Sequence, residues 1–195
     1  ETQAATGQFG IEFQSGDRFN VNYASNYEFL KQSFGIATGV KIPAGGYDFG
    51  NFHVDYTLGV GRNVAGTFSL DKGTFYSGDK TTLGYRGGRV KITPKISVEP
   101  NISLNRVELP VGSFTTNLVG SRATYTMTPF MFISGLVQYN SSSHTVSTNA
   151  RFRWEYTAGS ELFVVYNDTR DTLQPNVPGL VNRALIVKIN RLLRF

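Results

Sequence analysis

Few residues of this chain have the types and spacing that enzymes use for acid–base or metal chemistry. Its 195 residues include two histidines and no cysteine, which excludes disulfides and thiolate sites for a metal or redox cofactor. His53 alternates with Asn51 and Asp55, a pattern that favours a histidine hydrogen-bonded in a polar network over a catalytic base. The carboxylates of Asp168 and Asp171 lack a glycosidase-like setting and are interpreted as solvated charges. The sequence predicts no catalytic residue, no cofactor and no metal site.

The second histidine supports one enzymatic alternative. His144 follows three serines, 141–143, and Ser147 and Asn149 come shortly after it. Because a serine nucleophile needs an adjacent base, an outer-leaflet hydrolase is one hypothesis for this segment. Serine-rich segments are also ordinary hairpin turns, and we favour that interpretation.

The element around His144 indicates how such residues are positioned. From His144 to Tyr156, apolar and polar residues alternate strictly, and Phe152, Trp154 and Tyr156 share one parity. Successive side chains of a strand point to opposite faces, so the pattern predicts a two-faced strand. Strands of soluble domains mostly have five or six residues, whereas a strand crossing a membrane needs about nine to eleven. This segment is therefore typical of the wall of a membrane barrel.

The same period of two recurs along the chain. We expect one domain over residues 1–195, all-β, an antiparallel up-and-down transmembrane β-barrel of about 11 strands that is part of a larger barrel. The expected strands are 6–14, 19–29, 52–60, 65–76, 81–93, 95–109, 115–128, 130–140, 144–157, 161–168 and 183–195.

Alternation assigns residues to two faces. The predicted lumen-lining set is the best functional candidate, because acids and bases inside a barrel pair with one another or set the selectivity of a water-filled path. It comprises Glu12, Glu28, His53, Asp55, Glu99, Arg122, Arg151, Arg153, Glu155 and Lys188. The predicted lipid-facing or girdle set comprises Phe9, Phe13, Tyr23, Tyr56, Tyr125, Phe152, Trp154, Tyr156 and Phe195.

Two places fit the alternation poorly. Gly87-Gly88 puts Arg89 and Lys91 on the apolar parity unless a bulge shifts the register there. Arg191 shares the parity of the last strand's apolar residues and must lie low in the wall or face other protein.

Composition limits the possible partners. The net charge is +5, but lysine and arginine are scattered without a dense basic run, so we expect no nucleic acid. The longest apolar runs have about five residues, far fewer than the roughly eighteen of a transmembrane helix. A soluble all-β binding module has the same alternation and stays the alternative. Strand lengths, aromatics near the short turns and the final Phe195 favour the membrane and bacterial outer-membrane lipid as the partner.

Connections fall into a short and a long class. The expected short ones are 15–18, 61–64, 93–94, 128–129 and 158–160. The connections that alternate with them, several of them long, are 31–46, 77–80, 110–115, 140–143 and 169–181. Outer-membrane barrels have short periplasmic turns and longer external loops. The C-terminus is therefore expected in the periplasm.

Several segments also resemble a known family. They are 136–141, 147–154 and 158–167, together with 39–43, 46–49 and 182–195. They resemble the C-terminal barrel of a family of uncharacterised bacterial outer-membrane proteins, whose full-length members begin with a carbohydrate-binding-like domain of family 9 type. The resemblance implies fold and location, and glycans or small polar solutes as possible ligands. It implies no established activity.

The function expected from the sequence is that of a porin-like passive channel, or of the membrane anchor of a surface-binding protein, and not that of an enzyme. Eleven strands are an odd number, whereas bacterial single-chain barrels have an even one. We therefore expect further strands, from a preceding segment or a second chain, to pair with segment 6–14 and with the last strand.

Overall fold

The computed structural model describes residues 4–173 and 178–193 and is built from β-strands alone over those ranges. The strands are β1 (Ala4–Glu12), β2 (Arg18–Leu30), β3 (Phe34–Ala37), β4 (Val40–Ile42), β5 (Gly45–Leu58), β6 (Val64–Phe75), β7 (Gly78–Thr93), β8 (Ile96–Leu109), β9 (Gly112–Thr128), β10 (Met131–Asn140), β11 (Thr145–Thr157), β12 (Ser160–Asp171) and β13 (Gly179–Asn190). None of the described residues belongs to a helix long and apolar enough to cross a membrane.

Eleven of these strands form one sheet in sequence order, interrupted by β3 and β4, which pair with each other. The prediction of an all-β, antiparallel architecture is confirmed. The strands of the sheet have between 9 and 17 residues, longer than is usual in soluble domains. In the strand order β1 has β2 as its one neighbour and β13 has β12, among the residues that the structure describes.

The chain divides into two compact units. The first unit comprises the described residues of Glu1–Arg86 and Ile102–Asn117, and the second unit those of Gly87–Asn101 and Leu118–Phe195. Strands β7, β8 and β9 each contribute to both.

In both units the register preserves the two faces. In the first unit, His53 of β5 lies opposite Asn22 of β2 and Asp71 of β6. In the second unit, Phe152 of β11 lies opposite Ile133 and Val164. We call the face with His53 or with Arg153 the polar face of each unit and the other the apolar face.

The first unit contains a small buried cluster that alternation did not predict. Val40 and Ile42 of β4 pack with Val107 and Leu109 of β8, and Ile42 is completely buried. These are the buried apolar residues of the part of the chain that the structure describes. The long connection after β2, expected to be a loop, is therefore a hairpin whose β4 is covered by the polar-face side of β8.

Both irregularities of the alternation have local causes. Gly87 has a φ of +61°, a conformation that favours glycine, and Arg89 beyond it contacts Ser97 and Glu99. Arg89 therefore lies beside polar residues of β8. At the end of the chain β13 stops at Asn190, so Arg191 lies outside the strand.

The predicted difference between connections is smaller than expected. Tyr76–Ser77 and Pro110–Val111 are turns of two residues, because β6 to β9 extend further than the alternation indicated. The connections expected at 77–80 and 110–115 are therefore shorter than the alternation indicated. The connection 31–44 and the one between β12 and β13 are longer than the rest.

Candidate functional site

The polar face of the first unit carries a hydrogen-bonded network centred on His53. Its Nδ1 lies 2.7 Å from Oδ1 of Asp71 and its Nε2 lies 3.3 Å from Oδ1 of Asp55. Asn20 donates to Oδ2 of Asp55 at 2.9 Å, and Asn51 donates to Oδ1 of Asp71 at 3.4 Å. Antiparallel pairing of β2, β5 and β6 positions these side chains, since His53 is opposite Asp71 and Asn20 is opposite Asp55.

This network satisfies its own polar atoms. Each ring nitrogen of His53 faces a carboxylate oxygen. The side chains of His53 and Asp55 are 23% and 12% exposed, so little of either is open to solvent. Among the described residues there is no group of three or more His, Cys, Asp or Glu that could hold a metal ion. The arrangement is that of an internal polar network, as the spacing of His53 predicted.

A second set of hydrogen bonds in the first unit connects two turns. Asp17 is 3% exposed and accepts hydrogen bonds from the backbone N–H of Gly59 at 2.7 Å, from Tyr56 at 3.0 Å and from Arg62 at 2.6 Å. The hydrogen bond from Gly59 is the largest influence that holds the pKa of the Asp17 carboxyl below its usual range, against the opposing effect of burial. Asp17 therefore joins the β1–β2 turn to the β5–β6 turn. Sequence reasoning placed it only in a tight turn.

The polar face of the second unit is organised around Arg153. Its guanidinium donates to Glu161 and lies 3.9 Å from Glu155. The next row of this face carries Arg151, and the two rows beyond it are neutral, with Asn149 bonded to Asn167 and Ser147 bonded to Thr169. The predicted residues Arg153 and Glu155 are thus brought together, with Glu161 as a partner that the prediction had not included.

Other members of the predicted lumen-lining set differ in whether they have a charge partner. Glu12 lies 3.5 Å from Arg18, and Glu99 lies 3.6 Å from Arg89. Within the described residues, no ion pair is formed by Glu28, Arg122, Arg151 or Lys188. Three of these four are cations, and all three belong to the second unit.

Of the predicted lipid-facing set, Phe9, Phe13, Tyr23, Tyr56, Tyr125, Trp154 and Tyr156 are exposed. Phe152 is half-buried between neighbours of its own face, and Arg151 on the polar face is exposed. Solvent exposure therefore does not separate the two faces of β11, although the alternation between them is unbroken. Phe195 lies outside the described residues.

The apolar face of the second unit also carries a charged cluster that the sequence did not predict. Asp168 is 7% exposed, so its interpretation as a solvated charge was wrong. Its carboxylate accepts hydrogen bonds from Arg170 at 2.7 Å, Arg183 at 3.0 Å and Tyr166 at 3.2 Å. A parity count could have found this cluster, because Asp168 and Arg183 fall on the apolar parity of β12 and β13.

His144 lies in the β10–β11 turn with a φ of +49°. Its backbone carbonyl accepts hydrogen bonds from Thr172, at 2.7 Å from the amide and 2.8 Å from the hydroxyl. Ser147 and Asn149 are bonded across to β12, as described above. The structure therefore does not bring these side chains together with His144. Comparisons of the chain with protein-family models, with curated proteins and with solved structures give no match.

Proposed function

We propose that this chain forms part of the wall of a bacterial outer-membrane β-barrel. The observation that carries the proposal is the distribution of large apolar side chains. Every strand of the eleven-stranded sheet exposes at least one of them, from Phe9 on β1 to Ile189 on β13. Large apolar side chains exposed on neighbouring strands mark contact with protein or membrane. Lipid contact accounts for it on all strands at once.

The polar faces of the two units also support the proposal. A soluble β-sandwich packs one face of each sheet into a common core. Here the buried apolar residues of the described chain are confined to the cluster of Val40, Ile42, Val107 and Leu109. Elsewhere the polar faces carry ion pairs and amide hydrogen bonds beside partly exposed apolar residues such as Leu136 and Phe163. Such a face suits a lumen that contains water.

We propose a passive channel or a membrane anchor as the activity. A channel is favoured by the unpaired cations on the polar face of the second unit, because rings of charge set the selectivity of pores. An anchor is favoured by the β3–β4 hairpin, whose packing fills space beside the polar face of the first unit. The resemblance to barrels with an appended carbohydrate-binding-like domain adds glycans as candidate solutes or ligands, by analogy.

We further propose that other strands complete the wall. A free strand edge in hydrocarbon leaves N–H and C=O groups unpaired at a cost of several kcal/mol each. An all-antiparallel barrel has an even strand number, so an odd number of strands must join the eleven. They come from another segment of a longer protein or from a second chain. In this arrangement the short turns and the C-terminus lie in the periplasm.

Reconstitution into phosphatidylcholine vesicles tests the proposal. A membrane wall requires detergent for monodispersity and, after reconstitution, floats with the vesicles and resists carbonate extraction. Trp154 provides the spectroscopic signal, since its indole on the apolar face is 44% exposed and lipid contact shifts its fluorescence to shorter wavelength.

The alternatives give different outcomes in the same experiment. A soluble binding module stays monodisperse without detergent and remains in the aqueous fraction. An outer-leaflet hydrolase inserts but cleaves ester or glycan substrates in a manner that His144→Ala abolishes. The first result would overturn the proposed membrane wall, and the second would overturn the proposed passive activity. Monodispersity without detergent distinguishes a soluble module from poor reconstitution.

A further inference from the structure

We propose that Arg170 and Arg183 form a binding site for the phosphate headgroup of an anionic lipid on the apolar face of the second unit. The inference rests on the proposed membrane location and adds a specific lipid class to it. The two arginines belong to neighbouring strands and share one carboxylate, that of Asp168.

The first step is that the two guanidinium groups are held in place. Arg170 donates through Nε to Oδ1 of Asp168, and Arg183 donates through Nε to Oδ2, with its Nη2 2.9 Å from the same oxygen. The hydroxyl of Tyr166 adds a further hydrogen bond to Oδ2. Because the side chain of Asp168 is 9% exposed, a buried carboxylate holds both guanidinium groups in place.

The second step is that each guanidinium keeps unused donors. An arginine has five N–H groups, and these contacts use Nε of Arg170 and Nε and Nη2 of Arg183. The side chains are 40% and 47% exposed, so the remaining donors are accessible. Paired forks of this kind match the oxygens of a phosphate better than single lysines do.

The third step is charge. Two guanidinium groups against one carboxylate leave a net charge of +1 on the cluster. The nearest further acid in sequence, Asp171, accepts the backbone N–H of Leu173 at 2.8 Å. In the low-dielectric surroundings of a bilayer this excess charge attracts an anion more strongly than it would in water.

The fourth step identifies the anion as part of a lipid. Leu185, Val187 and Ile189 continue the apolar face of β13 from Arg183, with exposures of 66%, 58% and 68%. A ligand with a phosphate at the arginines and an acyl chain along these residues contacts both surfaces. Free phosphate would use only the first. The loop that follows Asp171 belongs to the longer connections, which are external in the proposed orientation, so the lipid is one of the outer leaflet.

Native mass spectrometry of the whole chain in detergent, with phosphatidic acid and phosphatidylcholine as probes, tests the site. We expect preferential retention of phosphatidic acid and a loss of about tenfold or more in its affinity for Arg170→Gln/Arg183→Gln, because charge-assisted hydrogen bonds are removed. Arg106→Gln is the matched control, since Arg106 is an exposed arginine of the first unit already 2.5 Å from Glu108. It should retain the lipid as the unchanged chain does.

A second variant guards against misfolding. Arg170→Lys/Arg183→Lys keeps both charges but loses the planar forks, and we expect a smaller loss than for glutamine. Equal retention by the glutamine double variant and by Arg106→Gln would overturn the site. Equal retention of phosphatidylcholine, or inorganic phosphate competing as effectively as the lipid, would overturn it as well. Failure to enter vesicles refutes the proposed function, whereas insertion without lipid preference refutes this site alone.

Discussion

The polar faces of the two units are produced by the same alternation but distribute charge differently. On the first, His53 lies between two carboxylates and β4 packs against β8. On the second, Arg153 is shared by two glutamates while Arg122, Arg151 and Lys188 form no ion pair among the described residues. We therefore expect the first face to stabilise the fold, and we propose that the second is available to solutes.

The largest expected effect concerns the buried cluster of the first unit. Ile42→Ala leaves a cavity at a completely buried position and should lower the free energy of unfolding by about 2–5 kcal/mol. Urea unfolding in detergent micelles measures the loss. Ile92→Ala, at a side chain that is 61% exposed, serves as the control and should cost clearly less. Equal losses would mean that the cluster does not stabilise the first unit.

Next comes a contrast between adjacent residues of the second unit. Ala150 is opposite Gly135 and Tyr166 on the apolar face, whereas Asn149 is opposite Leu136 and Asn167 on the polar face. In a membrane wall Ala150→Arg should cost about 2–4 kcal/mol near the midplane, and Asn149→Arg should be mild. The yield of folded protein in vesicles checks this. A greater defect for Asn149→Arg would reverse the assignment of faces.

A smaller effect, on ion selectivity, is expected for the cations of the second unit that form no ion pair. If the second polar face lines a conducting path, then replacing Arg122, Arg151 and Lys188 together by glutamine should shift selectivity away from anions. The reversal potential in a planar bilayer under a KCl gradient measures this shift. Arg18→Gln is the control on the first unit, since Arg18 already faces Glu12 at 3.5 Å. An unchanged reversal potential would separate these cations from the conduction path.

The smallest expected effect is the pH dependence of the turns of the first unit. The pKa of Asp17 is lowered in the folded chain, so its stabilising contribution is present above the unfolded-state pKa and is lost as pH falls through the folded-state value. We expect the urea midpoint to drop from about pH 4 downward. Asp17→Asn should remove part of this drop. An unchanged pH dependence of the urea midpoint in Asp17→Asn would mean that the Asp17 carboxylate does not stabilise these turns.

The sequence predicted some elements closely because alternation is a local property. The strand expected from His144 to Thr157 is β11 from Thr145 to Thr157, and the eleven expected strands correspond to the eleven of the sheet. Face assignments followed from the same period, which placed His53 on one face with Asp55, whereas its pairing with Asp71 was not predicted. Membrane location, channel activity and the family resemblance stay predictions.

By itself, then, the sequence determined the strands, their two faces and the scarcity of catalytic side chains, since each depends on residue types and a period of two. Only the tertiary structure decided which distant residues meet. Asp17 reaches Gly59 across two turns, Asp168 lies opposite Arg183 across a strand pair, and Ile42 is buried against another part of the chain. Strands of three or four residues such as β3 and β4 are too short to show a period, and burial depends on contacts that sequence neighbours do not specify.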